Sequence, residues 1–100
     1  MSARADDGLG LGLEHRLTLG LDARPCLRRA VRLKHDRVRE RWLLLAPERG
    51  FVLNGSALAV VRSLAAGGTL AEIAARVAVP DDAVAFVRAL AARGLVEPAP

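Results

Sequence analysis

The side chains able to do chemistry are few and scattered along the chain. His15 and His35 have no Cys, Asp or Glu at ligand spacing apart from the adjacent Glu14 and Asp36, and no zinc pattern is present, so no metal site is expected. Ser56 and Ser63 fall in a helical stretch with no nucleophile-elbow glycines around them, and they read as a helix cap and a helix-surface hydroxyl. Cys26 is the single cysteine, so no internal disulfide can form. Its thiolate would gain only Arg28 and Arg29, which makes it a spectator. Gly67-Gly68 ends a helix instead of following a strand, so it does not cradle phosphate. With no residues arranged for metal ligation, nucleophilic attack or phosphate binding, the expectation is a protein that is not an enzyme and uses no cofactor.

The elements that carry these residues are short. One hundred residues allow one domain with a modest core, and an apolar fraction built from Ala, Leu and Val suits closely packed short helices better than a large ligand pocket. Residues 1–24 contain Leu9, Leu11, Leu13, Leu17, Leu19 and Leu21 separated by glycines and polar residues, and read as a flexible N-terminal tail or linker. The period of two also fits an extra strand. From Val31, Val31 and Leu33 alternate with Arg32 and Lys34, giving a strand and then a charged turn over His35 to Glu40. Trp42 to Ala46 is apolar at every position, as for a central strand covered on both faces, and Pro47 stops it. After a turn at Glu48-Arg49-Gly50 comes a third strand, Phe51-Val52-Leu53, and a meander with the second strand in the centre is the simplest topology.

Three helices follow. Asn54-Gly55-Ser56 opens the first and Gly67-Gly68 ends it; Thr69 with Glu72 is a capping box for the second; Pro80-Asp81-Asp82 opens the third and Gly94 closes it, after which Leu95 and Val96 pack back. The expected fold is α+β, a three-stranded antiparallel sheet followed by three helices, within a domain spanning residues 25–97.

The net charge of +4 is uneven: residues 1–23 balance at −2, residues 24–49 at +6 and residues 50–100 at zero. An acidic partner is therefore expected at the middle segment. The second and third helices have the outline of a helix-turn-helix, and a DNA-binding regulator is the alternative function. However, the helix that would enter the groove begins with Asp81 and Asp82, which repel phosphate, and Trp42, Phe51 and Phe86 all sit in apolar runs. No nucleic-acid partner is expected. The polar, acidic start and the lack of any apolar run near the roughly 20 residues of a membrane span point to a cytoplasmic protein with no membrane partner.

The apolar surface exceeds what a small core needs. On the third helix Ala83, Phe86, Val87, Leu90 and Gly94 form the core face, while Val84 and Ala91 fall beside it at about 100° per residue. The first strand carries the charges that protect an edge, whereas Phe51-Val52-Leu53 carries none. An uncharged edge beside a helix with spare apolar surface suits β-augmentation, in which a peptide adds as a further strand.

The stretch Arg39-Glu40-Arg41-Trp42-Leu43-Leu44-Leu45-Ala46-Pro47-Glu48-Arg49, with Leu53-Asn54 and the Thr69 to Ile73 segment, resembles the PqqD family, the peptide chaperones of pyrroloquinoline quinone (PQQ) biosynthesis. The likeness runs from about Pro25 to Val96 and departs at Ala66-Gly67-Gly68-Thr69, where the family commonly has an Asp-Gly pair in a slightly longer turn. The resemblance implies a winged-helix-like recognition domain, without chemistry of its own, that binds a ribosomal precursor peptide and presents it to a radical S-adenosylmethionine enzyme for Glu–Tyr crosslinking. It places the peptide along Gly50, Phe51, Val52, Leu53 and Asn54 and against Val84, Val87, Arg88 and Ala91 of the third helix. The basic hairpin bearing Arg37, Arg39 and Arg41 is expected to meet the partner enzyme.

Overall fold

The computed structural model describes residues 19–99. Strand β1 (Pro25–Leu27) is followed by β2 (Arg32–Asp36), β3 (Arg41–Ala46) and β4 (Arg49–Leu53), then helices α1 (Gly55–Ala66), α2 (Leu70–Ala75) and α3 (Pro80–Ala92), and finally β5 (Val96–Pro98). β2, β3 and β4 form an antiparallel sheet in that order, so β3 is central, as the meander requires. The α+β class and the three strands followed by three helices agree with the sequence reading, and the arrangement is compatible with a winged-helix-like description.

Local chemistry sets the helix limits. Asn54 Oδ1 accepts from the Ala57 amide at 2.8 Å, which makes Asn54 the cap of α1; Ser56 lies inside the helix and is exposed, so its expected role as a cap is corrected. Thr69 and Glu72 close the expected capping box at the start of α2. Gly68 before it sits at φ +110°, and a Cβ there would come within 2.9 Å of Glu72 Oε1, so only glycine leaves room for this cap. Pro80 starts α3 and Gly94 follows its end at φ +77°.

The core gathers Leu44 from the sheet, Val61 from α1, Leu70 and Ile73 from α2, Val87 from α3, and Leu95 after it, all essentially without exposure. Ser63 also lies in this interior. It is buried, donates to the Ile73 carbonyl at 2.9 Å and accepts from Arg76 Nε at 2.9 Å, so its expected surface position is corrected. Arg76 further donates to the Ser63 carbonyl, tying the last turn of α1 to the end of α2. A buried hydroxyl satisfied in this way avoids the desolvation cost of an unpaired polar group.

Four other readings are corrected. A second, two-stranded sheet joins β1 to β5, with Cys26 opposite Glu97, and Arg28 N extends it to the Leu95 carbonyl. Residues 19–24, grouped above with the tail, are packed: Leu19 is buried, and the carbonyls of Leu21 and Ala23 accept from Ala71 N and Leu70 N, which as first-turn amides of α2 have no partner within the helix. Residues 1–18, with the earlier leucines and His15, lie outside the described residues. The turn between β3 and β4 is Pro47-Glu48, with Glu48 at φ +66°, so β4 begins with the charged Arg49 and is not free of charge. Lastly, β3 is covered on one face only. Trp42, Leu44 and Ala46 share the helix-covered side, while Leu43 and Leu45 point the other way and remain partly exposed.

Candidate functional site: an open strand edge

Within the three-stranded sheet both β2 and β4 are edges. β2 presents the exposed Arg32 and Lys34. On β4 the exposed positions are Arg49, Gly50 and Val52, and Val52 retains 58% of its surface. The Pro47-Glu48 turn closes on Ala46 opposite Arg49, with Gly50 opposite Leu45, Phe51 opposite Leu44, Val52 opposite Leu43 and Leu53 opposite Trp42. A two-residue turn closes on a hydrogen-bonded pair, and bonded and non-bonded pairs then alternate along an antiparallel ladder. Arg49, Phe51 and Leu53 therefore bond inward to β3. The N–H and C=O groups of Gly50 and Val52 face the open edge.

Both ends of β4 meet α3. Arg49 Nη2 donates to the Arg93 carbonyl at 2.7 Å, and the Arg49 guanidinium also lies 5.6 Å from the centre of the Phe51 ring. At the other end, Asn54 borders a cavity of about 320 Å³ whose walls are mainly apolar. α1 contributes Ala57 and Val60 to this cavity, α3 contributes Asp82, Ala83 and Phe86, and Val79 lies at its border. The edge and the cavity form one candidate site: a row of free backbone groups that runs toward an apolar recess.

The structure distributes the expected site residues unequally. Gly50, Phe51, Val52, Leu53 and Asn54 are consecutive along this edge, with Leu53 nearly buried beneath it. Val87 has no exposed surface and belongs to the core. Arg88 donates from Nε to the Leu19 carbonyl at 2.9 Å, so it holds the N-terminal segment. Val84, Arg88 and Ala91 lie roughly 140–160° around the helix from Phe86, at about 100° per residue. That stripe therefore does not line the cavity beside Asn54. Phe86, read above only as a core residue, is half-buried and does line it. The available signal was its place at the margin of the core arc.

The basic hairpin is held together by its own charges. Asp36 Oδ1 accepts from the amides of Val38 and Arg39 at 3.1 and 3.2 Å, and Asp36 Oδ2 lies 3.6 Å from Arg39 and 3.7 Å from Arg41. Arg39 and Arg41 are thus partly engaged by a carboxylate of their own loop, while Arg37 sits exposed at the tip beside Val38. The Arg39 amide above all holds the Asp36 carboxyl below its ordinary value of 3.8; desolvation opposes it, and the Val38 amide and the Arg39 guanidinium add to the lowering. A carboxylate depressed on folding contributes stability above its unfolded pKa, and that contribution is lost as pH falls through the folded value. The amide resonances of Val38 and Arg39 should therefore titrate with a midpoint below 3.8; a midpoint at or above it would show that these bonds do not form in solution.

Among the described residues there is no group of three or more His, Cys, Asp or Glu side chains able to hold a metal ion, and no helix long and apolar enough to cross a membrane. His35 of β2 packs against Trp42 with ring centres 4.7 Å apart, and Arg62 of α1 covers the same indole at 4.8 Å.

Comparison with known proteins decides the family. The model for "Coenzyme PQQ synthesis protein D (PqqD)" matches residues 41–96, from the start of β3 to the start of β5. This chain belongs to the PqqD family. Among curated PqqD relatives, a "PqqA binding protein" of Xanthomonas campestris pv. campestris (strain B100) is 47% identical over 66 residues, covering 66% of this chain and 72% of that protein. Its counterpart in Xanthomonas oryzae pv. oryzae (strain KACC10331 / KXO85) is 47% identical over 62 residues, covering 62% and 67%. The solution NMR structure of the PqqD truncation of Methylobacterium extorquens PqqCD superposes with a TM-score of 0.61 at 33% identity, over 82% of this chain and 98% of that one. That truncation is described as a functional, stand-alone recognition element for a ribosomally synthesized and post-translationally modified peptide (RiPP). The region matched by the PqqD model contains the open β4 edge and the cavity beside Asn54.

Proposed function

We propose that this chain is a non-catalytic recognition element of PQQ biosynthesis. It binds a PqqA-type precursor peptide as a further strand on β4 and presents it to a PqqE-like radical S-adenosylmethionine enzyme for Glu–Tyr crosslinking. The observation that carries the reading is the open edge: Gly50 and Val52 direct paired donors and acceptors outward, next to the apolar recess by Asn54. Main-chain bonds along the edge supply affinity with little dependence on sequence, and the recess selects an apolar side chain. On α3 the proposal takes Phe86 in place of Val84, Val87, Arg88 and Ala91. Family membership and the relatives named for PqqA binding support the choice of peptide.

The DNA-binding alternative gains nothing from the fold. The first turn of α3 carries Asp81 and Asp82 and no cation, so a phosphate there meets like charge.

Titration of isotopically labelled protein with the precursor peptide tests the proposal. The amides of Gly50 and Val52 should shift most, with further shifts at Asn54 and Phe86. Shifts confined to the hairpin tip at Arg37 to Glu40, or to the Arg88 flank, would move the site away from the edge.

A further inference from the structure

The face of the sheet turned away from the helices has an organisation of its own. Its central residues are Leu43 and Leu45 of β3 and Val52 of β4, and its border consists of Arg32, Lys34 and Asp36 of β2 and Arg41 at the start of β3, three cations against one carboxylate. Leu43 lies opposite Lys34 and Val52, and Leu45 opposite Arg32 and Gly50. Gly50 adds to the flatness of this surface, since a Cβ there would approach Leu45 Cδ2 to 3.0 Å; without one, Leu45 can lie across the backbone. Leu43, Leu45 and Val52 are not among the hydrophobic residues packed against the core. A sheet with one solvated face is expected to alternate apolar-in with polar-out. Here the outward positions of the central strand are leucines, and the charges stand only around them.

We infer that this outer face docks the partner protein, whose complementary surface is an apolar patch bordered by carboxylates. Three features select that occupant. The border is cationic, and the segment from residue 24 to 49 carries the whole positive surplus of the chain, so an acidic rim is attracted and steered to it. A second copy would bring another predominantly cationic border onto this one, which opposes a face-to-face dimer. A lipid surface is engaged by projecting aromatic and large apolar residues, but the aromatic residues of this sheet, Trp42 and Phe51, point to the helix side.

The inference deepens the peptide-binding proposal and rests on it in one respect. A strand added beside β4 would place alternate side chains on this same face, next to Val52, so a protein docked over Leu43 and Leu45 would touch both the domain and the presented peptide. The hairpin tip, where Arg39 and Arg41 already share Asp36, becomes a border of the interface instead of its centre.

The test uses the full chain, the PqqE-like radical S-adenosylmethionine enzyme as the binding probe, and two variants: Leu45→Glu and the double substitution Arg32→Glu with Lys34→Glu. Both should weaken binding to the enzyme about tenfold or more, the first by putting a charge into an apolar contact and the second by reversing the border. Both should bind the precursor peptide like the wild type, with unchanged circular dichroism. Because Arg32 and Lys34 are exposed edge residues, the double variant remains informative if Leu45→Glu unfolds. Wild-type affinity for the enzyme in the double variant would overturn the inference. So would failure of the wild type to bind the enzyme while it still binds peptide. Self-association of the wild type that the substitutions abolish would assign the face to a second copy. Binding to phosphatidylserine vesicles that they abolish would assign it to lipid. Loss of peptide binding in the wild type itself would count against the proposed function instead, and is read in a separate titration.

Discussion

Val52→Pro should weaken binding of the precursor peptide at least about tenfold, or about 1.4 kcal/mol, while leaving the domain folded. The Val52 amide faces the open edge, so replacing it removes a donor to the added strand and no bond to β3. Proline is tolerated on an edge strand with that orientation, and the preceding Phe51 is already extended, as a residue before proline must be. Phe51→Pro is the control. It removes a ladder bond to Leu44 and a side chain packed against the core, and should destabilise the sheet. Isothermal titration and thermal melting separate the two effects. Wild-type affinity in a folded Val52→Pro protein would show that the peptide does not add to β4.

This edge was legible in the sequence because three short, consecutive strands leave little topological choice, and the second of them has to be central. The helix limits were legible for a local reason. Asn54, Thr69 with Glu72, Pro80 and Gly94 act within one turn of themselves, so no tertiary information is needed to place them. What escaped depends on distant partners. β1 and β5 have three residues each and lie at opposite ends of the domain, and nothing near Cys26 announces that Glu97 will pair with it. Leu19 looks like one more leucine of a glycine-rich stretch until Arg88, far along the chain, binds its carbonyl.

The edge character of the candidate strand was legible in the sequence, whereas the packing partners of α3 were not. The unbroken apolar run Trp42 to Ala46 of β3 says that both faces are hydrophobic but not what covers them, and here helices cover only one. On α3, a stripe from Val84 to Ala91 at helical spacing marks a continuous flank without telling which neighbour it faces. The packing gives Val87 to the core and Arg88 to Leu19, and leaves Phe86 beside the cavity. Ser63 shows the same ambiguity for a polar residue: its burial rests on the Ile73 carbonyl and the Arg76 guanidinium, both contributed by another helix segment.

Leu44→Ala should lower the stability of the domain by about 2–5 kcal/mol, the range for removing a leucine from a tightly packed interior. Leu44 has no exposed surface and lies between Leu33 of β2 and Phe51 of β4, so it connects all three strands to the helical core. Urea unfolding should show a lower midpoint at an unchanged slope, because the area exposed on unfolding hardly changes. A loss well under 1 kcal/mol would mean that the sheet is less closely applied to the helices than this packing requires. Val87→Ala separates core from contact on α3. Since Val87 is equally buried, the substitution should reduce stability while the folded fraction keeps its affinity for the peptide. A Val87→Ala protein of wild-type stability with weakened peptide binding would return that residue, and with it the Val84 to Ala91 stripe, to the binding site.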